Sequence, residues 1–395
     1  MKTFLLRNAR AVLVDGPADN VSLLIERDRI SAVSLQNKDL SADQKIDLSN
    51  TTIFPGFIDV HIHGAVGVDT MEAGAADLNR VSEFLARQGV TGWLPTLVPA
   101  PVADYARAIE AIGEASKFSE GARVLGVHYE GPFVNSAQCG ALRAQFFRTY
   151  SGPGDISDLP VLGLNSGKHM MTIAPEVDGG IALTRELTGR GWVVSVGHTR
   201  AEFGLLDRAF DAGARHITHF MNAMAPLHHR QPGPVAWGLL RDDVTCDFIA
   251  DGVHLDPRVL QLLLKTKTGE RLTLISDAVA AAGLGDGDYR IWGETISVKE
   301  RRTSNASGSI AGSVITMLDA YRMMKSLGAG EVDLARMTSG NPARLLGIED
   351  DCGSIEQGKR ADLVALDQNG NVRLTVVGGQ IVTLQPSEEQ KRSTK

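Results

Sequence analysis

The chain has 395 residues, of which 43% are hydrophobic and 22% charged, and this ordinary globular composition excludes disordered, collagen-like and disulfide-scaffold proteins. Forty basic and 47 acidic side chains give a formal net charge of −7, which opposes attraction to nucleic acid or to an anionic membrane surface. The length predicts about two or three domains, or one large barrel with an appendage.

The cysteine content and the apolar runs bear on the compartment. Three cysteines, Cys139, Cys246 and Cys352, are few, odd in number and far apart, which favours a reducing environment over a disulfide framework. The first ten residues carry no export signal, and no uninterrupted apolar run approaches ~18 residues. We therefore expect a cytoplasmic protein that has neither a membrane nor a nucleic-acid partner.

The secondary-structure pattern changes twice along the chain. Residues 1–53 contain short β-rich runs and turn sequences, which predict part of a small β-sandwich. Residues 54–345 alternate apolar runs with segments of helical periodicity, the pattern of βα units. Residues 346–385 return to β character and are expected to complete the sandwich, whereas the polar residues 386–395 are expected to form a flexible tail.

Eight apolar runs are predicted as the strands of a (β/α)₈ barrel of the TIM type, which makes this an α/β fold. The runs cover residues 54–61, 91–98, 124–130, 171–177, 192–197, 216–220, 246–250 and 272–276. Helical spacing of apolar residues predicts helices over residues 76–88 and 201–212 between them.

The histidines are concentrated where such a barrel builds its active site. Nine of the ten histidines lie at the ends of predicted strands or in the loops that follow them. His61 and His63 are two residues apart at the end of the first strand, so both side chains point to the same side. A pair of this kind can bind a metal, although an HxH pair alone is a weak signal.

Four further residues at strand ends strengthen the prediction of a metal site. Glu130 ends the third strand, His198 follows the fifth, His219 ends the sixth and Asp277 follows the eighth. Imidazole and carboxylate groups from separate strands can bind Zn²⁺ or a similar divalent ion and leave one position open for water. A buried carboxylate such as that of Glu130 is costly unless it is paired or bound to a metal.

Other residues have simpler interpretations. His128 and His216 are interpreted as residues that fill the barrel core or support the ligands, and His228 and His229 as solvated loop residues. The alternative for Asp277 is a helix N-cap.

Several sequence segments, in this order, resemble the N-acetylglucosamine-6-phosphate deacetylases of the amidohydrolase superfamily. The segments are 55–64 (PGFIDVHIHG), 128–133 (HYEGPF), 172–176 (TIAPE), 196–199 (VGHT), 218–219 (TH), 222–224 (NAM), 250–254 (ADGVH), 276–278 (SDA), 311–313 (AGS) and 353–364 (GSIEQGKRADLV). The resemblance covers nearly the whole chain, and it implies hydrolysis of the acetamide of an N-acetyl-hexosamine 6-phosphate, releasing acetate and the amino-sugar 6-phosphate.

The resemblance also implies residue roles, a cofactor and a partner. The family's metal ligands match Glu130, His198 and His219, and in members with a second metal also His61 and His63, so one or two divalent ions are expected, with Zn²⁺ preferred over Fe²⁺ or Mn²⁺. Substrate contacts match Gly131, Asn222, Ala223, Arg230 and His254. A homodimer is expected, because in this family the arginine can come from the neighbouring subunit. An arginine suits phosphate, which its planar group binds through two hydrogen bonds.

The catalytic aspartate of the family matches Asp277. It is expected to take a proton from the attacking water and to return it to the leaving amine.

One position departs from the family pattern. Where the family usually carries Gly-Ala-His, with a histidine that contacts the substrate, this chain has Gly140, Ala141 and Leu142. Leucine cannot donate a hydrogen bond, so either His128 or His254 takes over that contact, or the preferred sugar differs, or turnover is impaired.

The sequence also allows alternatives within and outside the family. Dihydroorotase-like cyclic amidases typically carry a metal-bridging lysine on the fourth strand, but Lys168 lies before the predicted strand at its opposite end. Nucleobase deaminases lack a ligand equivalent to Glu130. An N-acetylgalactosamine-6-phosphate deacetylase would keep every motif. A non-catalytic barrel protein with an interaction role is the alternative of a different class, with Leu142 in its favour.

Overall fold

The computed structural model describes residues 3–35, 40–118, 120–163 and 167–385. The predicted flexible tail, residues 386–395, lies outside the described residues. In chain order the strands are β1 (Thr3–Leu13), β2 (Gly16–Glu26), β3 (Arg29–Ser34), β4 (Gln44–Asp47), β5 (Thr51–Pro55), β6 (Phe57–Ile62), β7 (Gly64–Ala65), β8 (Val68–Asp69), β9 (Val90–Leu97), β10 (Arg123–Val124), β11 (Gly126–Glu130), β12 (Lys168–Ile173), β13 (Val193–Val196), β14 (His216–Ile217), β15 (Thr245–Ile249), β16 (Leu272–Ile275), β17 (Gly287–Ile291), β18 (Glu294–Lys299), β19 (Arg302–Ser304), β20 (Leu363–Asp367), β21 (Val372–Val377) and β22 (Gln380–Leu384).

The helices lie mostly between the barrel strands. They are α1 (Ala75–Arg87), α2 (Val102–Ala115), α3 (Gly154–Ser157), α4 (Gly180–Gly189), α5 (Phe203–Asp211), α6 (Gly233–Leu240), α7 (Pro257–Lys267), α8 (Met317–Ser326), α9 (Glu331–Ala335) and α10 (Asn341–Leu345). No helix in the described ranges is both long enough and apolar enough to cross a membrane.

Both ends of the chain contribute to one small β domain, as the sequence predicts. Eight strands join in a single sheet in the order β22-β21-β20-β5-β1-β2-β3, with β4 beside β1. The antiparallel pair β5–β20, which runs from Leu363 opposite Pro55 to Asp367 opposite Thr51, connects the two ends. Alternating apolar residues of the sheet, such as Leu23, Ile25 and Leu363, enclose a core separate from that of the barrel.

The predicted (β/α)₈ barrel is confirmed. Strands β6, β9, β11, β12, β13, β14, β15 and β16 pair in parallel in that order. The first and last strands meet through hydrogen bonds from the backbone N–H of Asp277 to the His61 carbonyl (2.9 Å) and from that of His63 to the Ala278 carbonyl (2.8 Å). Closure at this end brings the residues that follow β16 next to those that follow β6.

Three strand boundaries differ from the sequence prediction in ways that affect the site. The predicted strand 54–61 is two strands, because Phe54 belongs to β5 of the sheet domain and the barrel strand β6 begins at Phe57. Gly56 separates them at a close approach, where an added Cβ would lie 2.2 Å from Thr91 Cγ2. Lys168, predicted to precede the fourth strand, is its exposed first residue, at the end opposite to the site. Strand β14 has only two residues, so His219 lies beyond its end.

An insertion that the sequence pattern did not predict follows the eighth barrel strand. Strands β17, β18 and β19 form a separate antiparallel sheet. Its apolar residues Ile291, Ile296 and Val298 pack on Val279 and neighbouring residues that follow β16, and Ala141 contacts the same cluster. The insertion therefore lies beside the ends of the barrel strands that carry the candidate site residues.

Candidate active site

The candidate metal-binding residues converge at the carboxyl ends of the barrel strands. One ligand atom from each of Glu130, His198 and His219 lies within 4.8 Å of the other two, and the same holds for His61, His63 and Glu130. All five side chains are buried, with exposed fractions of the residues between 0 and 4%. The convergence that the sequence analysis expects is therefore present in the fold.

In the first group, two histidines meet one carboxylate oxygen. Glu130 Oε1 lies 2.9 Å from His198 Nε2 and 3.1 Å from His219 Nε2, and the two nitrogens are 3.1 Å apart. The Nδ1 atom of His198 lies 2.8 Å from the carbonyl of Gln138, to which it donates when Nε2 is unprotonated.

The second group shares the Glu130 carboxylate and adds Asp277. His61 Nε2 lies 3.6 Å from Glu130 Oε1, and His63 Nε2 lies 3.3 Å from Glu130 Oε2. Asp277 Oδ1 is 3.5 Å from His61 Nε2 and 3.2 Å from His63 Nε2. Glu130 therefore lies between the two histidine pairs, and Asp277 lies on the side of His61 and His63.

These distances fit one or two bound divalent cations. Two ligand atoms at about 2.0–2.2 Å from a tetrahedral Zn²⁺ are about 3.3–3.6 Å apart. The spacings observed here run from 2.9 to 3.6 Å. The Nε2 atoms of His198 and His219 are 3.1 Å apart, and those of His61 and His63 are 3.3 Å apart. The Glu130 carboxylate lies between these two pairs. Imidazole nitrogens and carboxylate oxygens that converge without an apolar neighbour between them are the donors that such an ion prefers.

The electrostatics of the site favour positive charge at its centre. Burial raises the pKa of the Glu130 carboxyl, but His61 and hydrogen bonds from His198 and His219 outweigh it and hold the pKa well below its usual range. For Asp277, burial likewise raises the pKa, and His61 and His63 lower it to a value below the ordinary one. Burial lowers the pKa of His63, but Asp277 and Glu130 raise it to about 10. The carboxylates of Glu130 and Asp277 are therefore ionised at neutral pH. Their buried negative charge is stabilised by a protonated histidine or a bound cation nearby.

An unusual backbone conformation directs three of these residues toward the site. His198, His219 and Asp277 have φ values of 47°, 29° and 49°, in the left-handed region that residues with a side chain seldom adopt. Each lies two residues beyond the last residue of its barrel strand, β13, β14 and β16 respectively. Backbone strain of this kind is concentrated at functional sites, where the surrounding structure holds it in place.

The residues predicted to contact substrate have different surroundings. Gly131 follows Glu130 with a φ of 84°, and Asn222 and Ala223 lie in the turn after His219. The backbone N–H of Thr199 donates to the Ala223 carbonyl (3.2 Å), which brings this turn next to His198. Arg230 is exposed in the loop before α6. Of these residues the first three adjoin the metal-binding groups directly.

The structure distinguishes between the two histidines considered as substitutes at the Leu142 position. His128 is fully buried, with Nδ1 3.2 Å from Thr96 Oγ1 and Nε2 2.8 Å from Thr172 Oγ1, so neither nitrogen is available to a substrate. The suggestion that His128 takes over the contact of the histidine missing at position 142 is therefore wrong. Its interpretation as a residue that fills the barrel core agrees with this burial. His254 Nδ1 lies 2.7 Å from Asp251 Oδ2, and its Nε2 has no hydrogen-bond partner among the described residues.

Leu142 itself is buried, with 7% of its surface exposed, and its side chain belongs to the apolar core of the barrel. Nearby, Gly140 approaches the site closely, since an added Cβ would lie 3.6 Å from His198 Cε1. The loop thus reaches the site through its backbone.

Two features next to the site were not predicted from the sequence. The ring of Trp292, at the turn between β17 and β18, lies 5.4 Å from the ring of His63 and nearly perpendicular to it. Beneath the site, the buried carboxylate of Asp59 accepts a hydrogen bond from Ser276 Oγ (2.6 Å). Asp59 precedes His61 by two residues, so the period of the strand could have placed both on one face; no comparable signal exists for Trp292.

The fold and the site together define a (β/α)₈-barrel protein with a divalent-metal site at the carboxyl ends of its strands. A family model described as "Amidohydrolase family" matches residues 52–382. N-acetylglucosamine-6-phosphate deacetylase of Bacillus subtilis is 34% identical over 98% of this chain and 99% of its own length. N-acetylgalactosamine-6-phosphate deacetylase of Escherichia coli O157:H7 is also 34% identical, over 96% of this chain and 100% of its own length.

Solved structures agree with the sequence comparisons. The crystal structure of N-acetyl-D-glucosamine-6-phosphate deacetylase from Mycobacterium smegmatis has a TM-score of 0.88 and 32% identity, covering 97% of this chain and 100% of that one. A mutant of that enzyme has been solved in complex with N-acetyl-D-glucosamine-6-phosphate. The chain belongs to the amidohydrolase family and, within it, to the group of amino-sugar-phosphate deacetylases that these relatives represent.

Proposed function

We propose that this protein is a metal-dependent amide hydrolase that removes the acetyl group from an N-acetyl-hexosamine 6-phosphate, with N-acetylglucosamine 6-phosphate as the favoured substrate. The observation that carries the proposal is the convergence of Glu130, His198 and His219 on one point, with Asp277 Oδ1 3.2 Å from His63 Nε2. In a barrel protein without catalytic activity, five buried ligand groups and an ionised aspartate would cost free energy without a compensating function.

The cofactor is a divalent cation, and we propose Zn²⁺ ahead of Fe²⁺ or Mn²⁺ because the donors are mainly imidazole nitrogens. One ion would be held by Glu130, His198 and His219, and a second by His61 and His63 with the shared Glu130. When bound, the ion supplies electrophilic activation of the amide carbonyl and of water.

Asp277 is proposed as the group that moves the proton. Its lowered pKa keeps it ionised at neutral pH, so it can accept a proton from the attacking water. It then returns that proton to the nitrogen of the leaving amine, because expulsion of an unprotonated amide anion is unfavourable. The backbone of Asp277 is held by hydrogen bonds to His61 and Ser313, which fixes the carboxylate relative to the histidines.

The remaining predicted contacts are assigned to the sugar phosphate. Gly131, Asn222 and Ala223 lie next to the metal-binding groups and are proposed to contact the sugar, and His254, oriented by Asp251, is proposed to contact its polar groups. Arg230, exposed on its loop, is proposed to bind the phosphate in the site of a second subunit, which makes the protein a homodimer.

Which hexosamine is preferred depends on the segment around Leu142. The E. coli relative, named for N-acetylgalactosamine 6-phosphate, is as similar to this chain as the B. subtilis relative. N-acetylgalactosamine 6-phosphate is therefore the second candidate substrate. The net charge of −7 and the three unpaired cysteines support a cytoplasmic location.

The proposal is tested with a panel of N-acetyl-hexosamines, each with and without a 6-phosphate, assayed for acetate and free amine after loading with Zn²⁺, Fe²⁺ or Mn²⁺. We expect metal-dependent release from at least one 6-phosphate and much slower release from the unphosphorylated sugars. Stable metal binding without release from any sugar would contradict the proposal and favour the non-catalytic interpretation. Mass measurement in solution checks the dimer.

A further inference from the structure

A fully buried polar cluster lies directly beneath the candidate metal site, inside the barrel. We call Thr218, Asp247 and His216 the support cluster; their exposed fractions are 0, 0 and 1%. Barrel interiors are normally filled by branched apolar side chains, and a buried carboxylate is costly unless donors satisfy it. The sequence predicts no role in substrate or metal binding for Thr218 or Asp247, and for His216 only that it fills the core or supports the ligands.

Three hydrogen-bond donors in and around the support cluster converge on Asp247. Its carboxylate accepts from Thr218 Oγ1 (3.2 Å to each oxygen), from His216 Nε2 (2.8 Å) and from the backbone N–H of His219. A carboxylate can only accept, so the single hydroxyl hydrogen of Thr218 is directed at Asp247.

The direction of that hydroxyl determines the tautomer of His61. Thr218 Oγ1 lies 3.0 Å from His61 Nδ1. Because its hydrogen is already donated to Asp247, Thr218 must accept from His61, so Nδ1 of His61 carries the proton. The lone pair of Nε2 then points at Glu130 and Asp277, where a cation would be bound.

The other histidines of the site show why this contact matters. His198 is oriented by the Gln138 carbonyl, which a side-chain substitution does not remove. His63 Nδ1 and His219 Nδ1 are buried and have no hydrogen-bond partner among the described residues. His61 is therefore the one of these four whose tautomer depends on a side chain within the described structure.

We propose that Asp247 and Thr218 are positioning residues: Asp247 directs the Thr218 hydroxyl, Thr218 holds His61 in the tautomer that can bind a cation, and Asp247 also fixes the backbone of His219. The carboxylate thereby supports a ligand in each of the two histidine pairs. This inference rests on the proposed function only in requiring that His61 binds a divalent cation.

The test compares Thr218→Val, which has nearly the same shape but no hydroxyl, with Thr218→Ser, which keeps the hydroxyl. Thr184→Val is the matched control, because Thr184 is equally buried but its hydroxyl bonds only to its own helix, at Gly180. Full-length proteins are titrated with Co²⁺ and followed by visible absorption. Histidine ¹⁵N chemical shifts are recorded on the Zn²⁺-loaded proteins, with the His61 signals assigned by their loss in His61→Asn.

We expect Thr218→Val to weaken binding of the cation that contacts His61 by about 10–100-fold, the usual effect of removing a group that orients a metal-binding histidine. The protonated Nδ1 signal of His61 should be present in the wild type, in Thr218→Ser and in Thr184→Val, and absent or exchange-broadened in Thr218→Val. Asp247→Asn should weaken cation binding at least as much as Thr218→Val, because an amide places N–H groups against the existing donors.

Two results would overturn the inference. One is a wild-type spectrum in which His61 Nδ1 is unprotonated, and the other is a folded Thr218→Val protein that matches the wild type in both cation affinity and His61 shifts. Failure of the proposed function is a separate outcome, since it appears as a wild-type protein that binds cations but releases no acetate from any sugar phosphate.

Discussion

The substitution Asp277→Asn tests the proposed proton transfer directly. Asparagine preserves the size of the side chain, and the backbone hydrogen bonds of residue 277 to His61 (2.9 Å) and Ser313 (2.7 Å) do not involve the carboxylate. The amide cannot accept a proton from water or return one to the leaving amine. General acid–base groups typically contribute about 10²–10⁴-fold, and because one residue serves both transfers we expect a fall in kcat of about 10³–10⁴-fold. This corresponds to about 4–5.5 kcal/mol of transition-state stabilisation.

Metal binding by Glu130, His198 and His219 should survive this substitution. Asp277 approaches His61 and His63, at 3.5 and 3.2 Å, but makes no ion pair with His198 or His219 in the described chain. The assay therefore measures acetate release, metal content by elemental analysis and the melting temperature of the same preparations.

The matched control for this experiment is Asp211→Asn, at an exposed position at the end of α5, which should leave all three quantities unchanged. An Asp277→Asn protein that retained most of the wild-type rate with full metal content would refute the assignment. Loss of metal together with activity would instead show that Asp277 acts as a ligand.

Three further predictions concern thiols, pH and the core. In the native protein a thiol reagent such as DTNB should modify one cysteine, Cys139, because the other two are buried with raised pKa values of about 12 and 11; Cys139→Ser should abolish the reaction. In the metal-free protein, Asp251→Asn should lower the free energy of unfolding most between about pH 4 and 6.5, measured by urea titration across pH. Burial opposes the charged form of both partners, but their hydrogen bond raises the pKa of His254 above 6.5 and lowers that of Asp251 below 3.8. The difference in the free energy of unfolding between the wild type and Asp251→Asn should therefore shrink as pH rises through the pKa of His254 or falls through that of Asp251. A difference that does not depend on pH would contradict this pairing. Phe248→Ala, at a fully buried position in β15, should cost about 3–5 kcal/mol in the same unfolding experiment, whereas Leu262→Ala, half exposed on α7, should cost much less.

The sequence is sufficient to predict the barrel and the candidate metal-binding residues of its site, because both depend on local patterns. Apolar runs followed by helical periodicity identify the βα units, and polar residues at the ends of the runs must lie at one face of a parallel barrel. Glu130, His198 and His219 were predicted in this way, although more than 60 residues separate the first two along the chain. Strand bounds were less accurate at Gly56 and Lys168, where a close approach and an exposed lysine interrupt the apolar pattern.

Only the tertiary structure decided which polar residues support the site. The hydroxyl of Thr218, directly after β14, donates to the carboxylate of Asp247 in the neighbouring strand β15. The tautomer of His61 then depends on its contact with that hydroxyl, which is 157 residues away along the chain. The position of Trp292 against His63 likewise follows from the packing of an insertion whose place no local pattern specifies. Local patterns determine which residues reach the strand ends, because strand period and burial act over a few residues; barrel closure determines which of them meet, because that depends on contacts between distant parts of the chain.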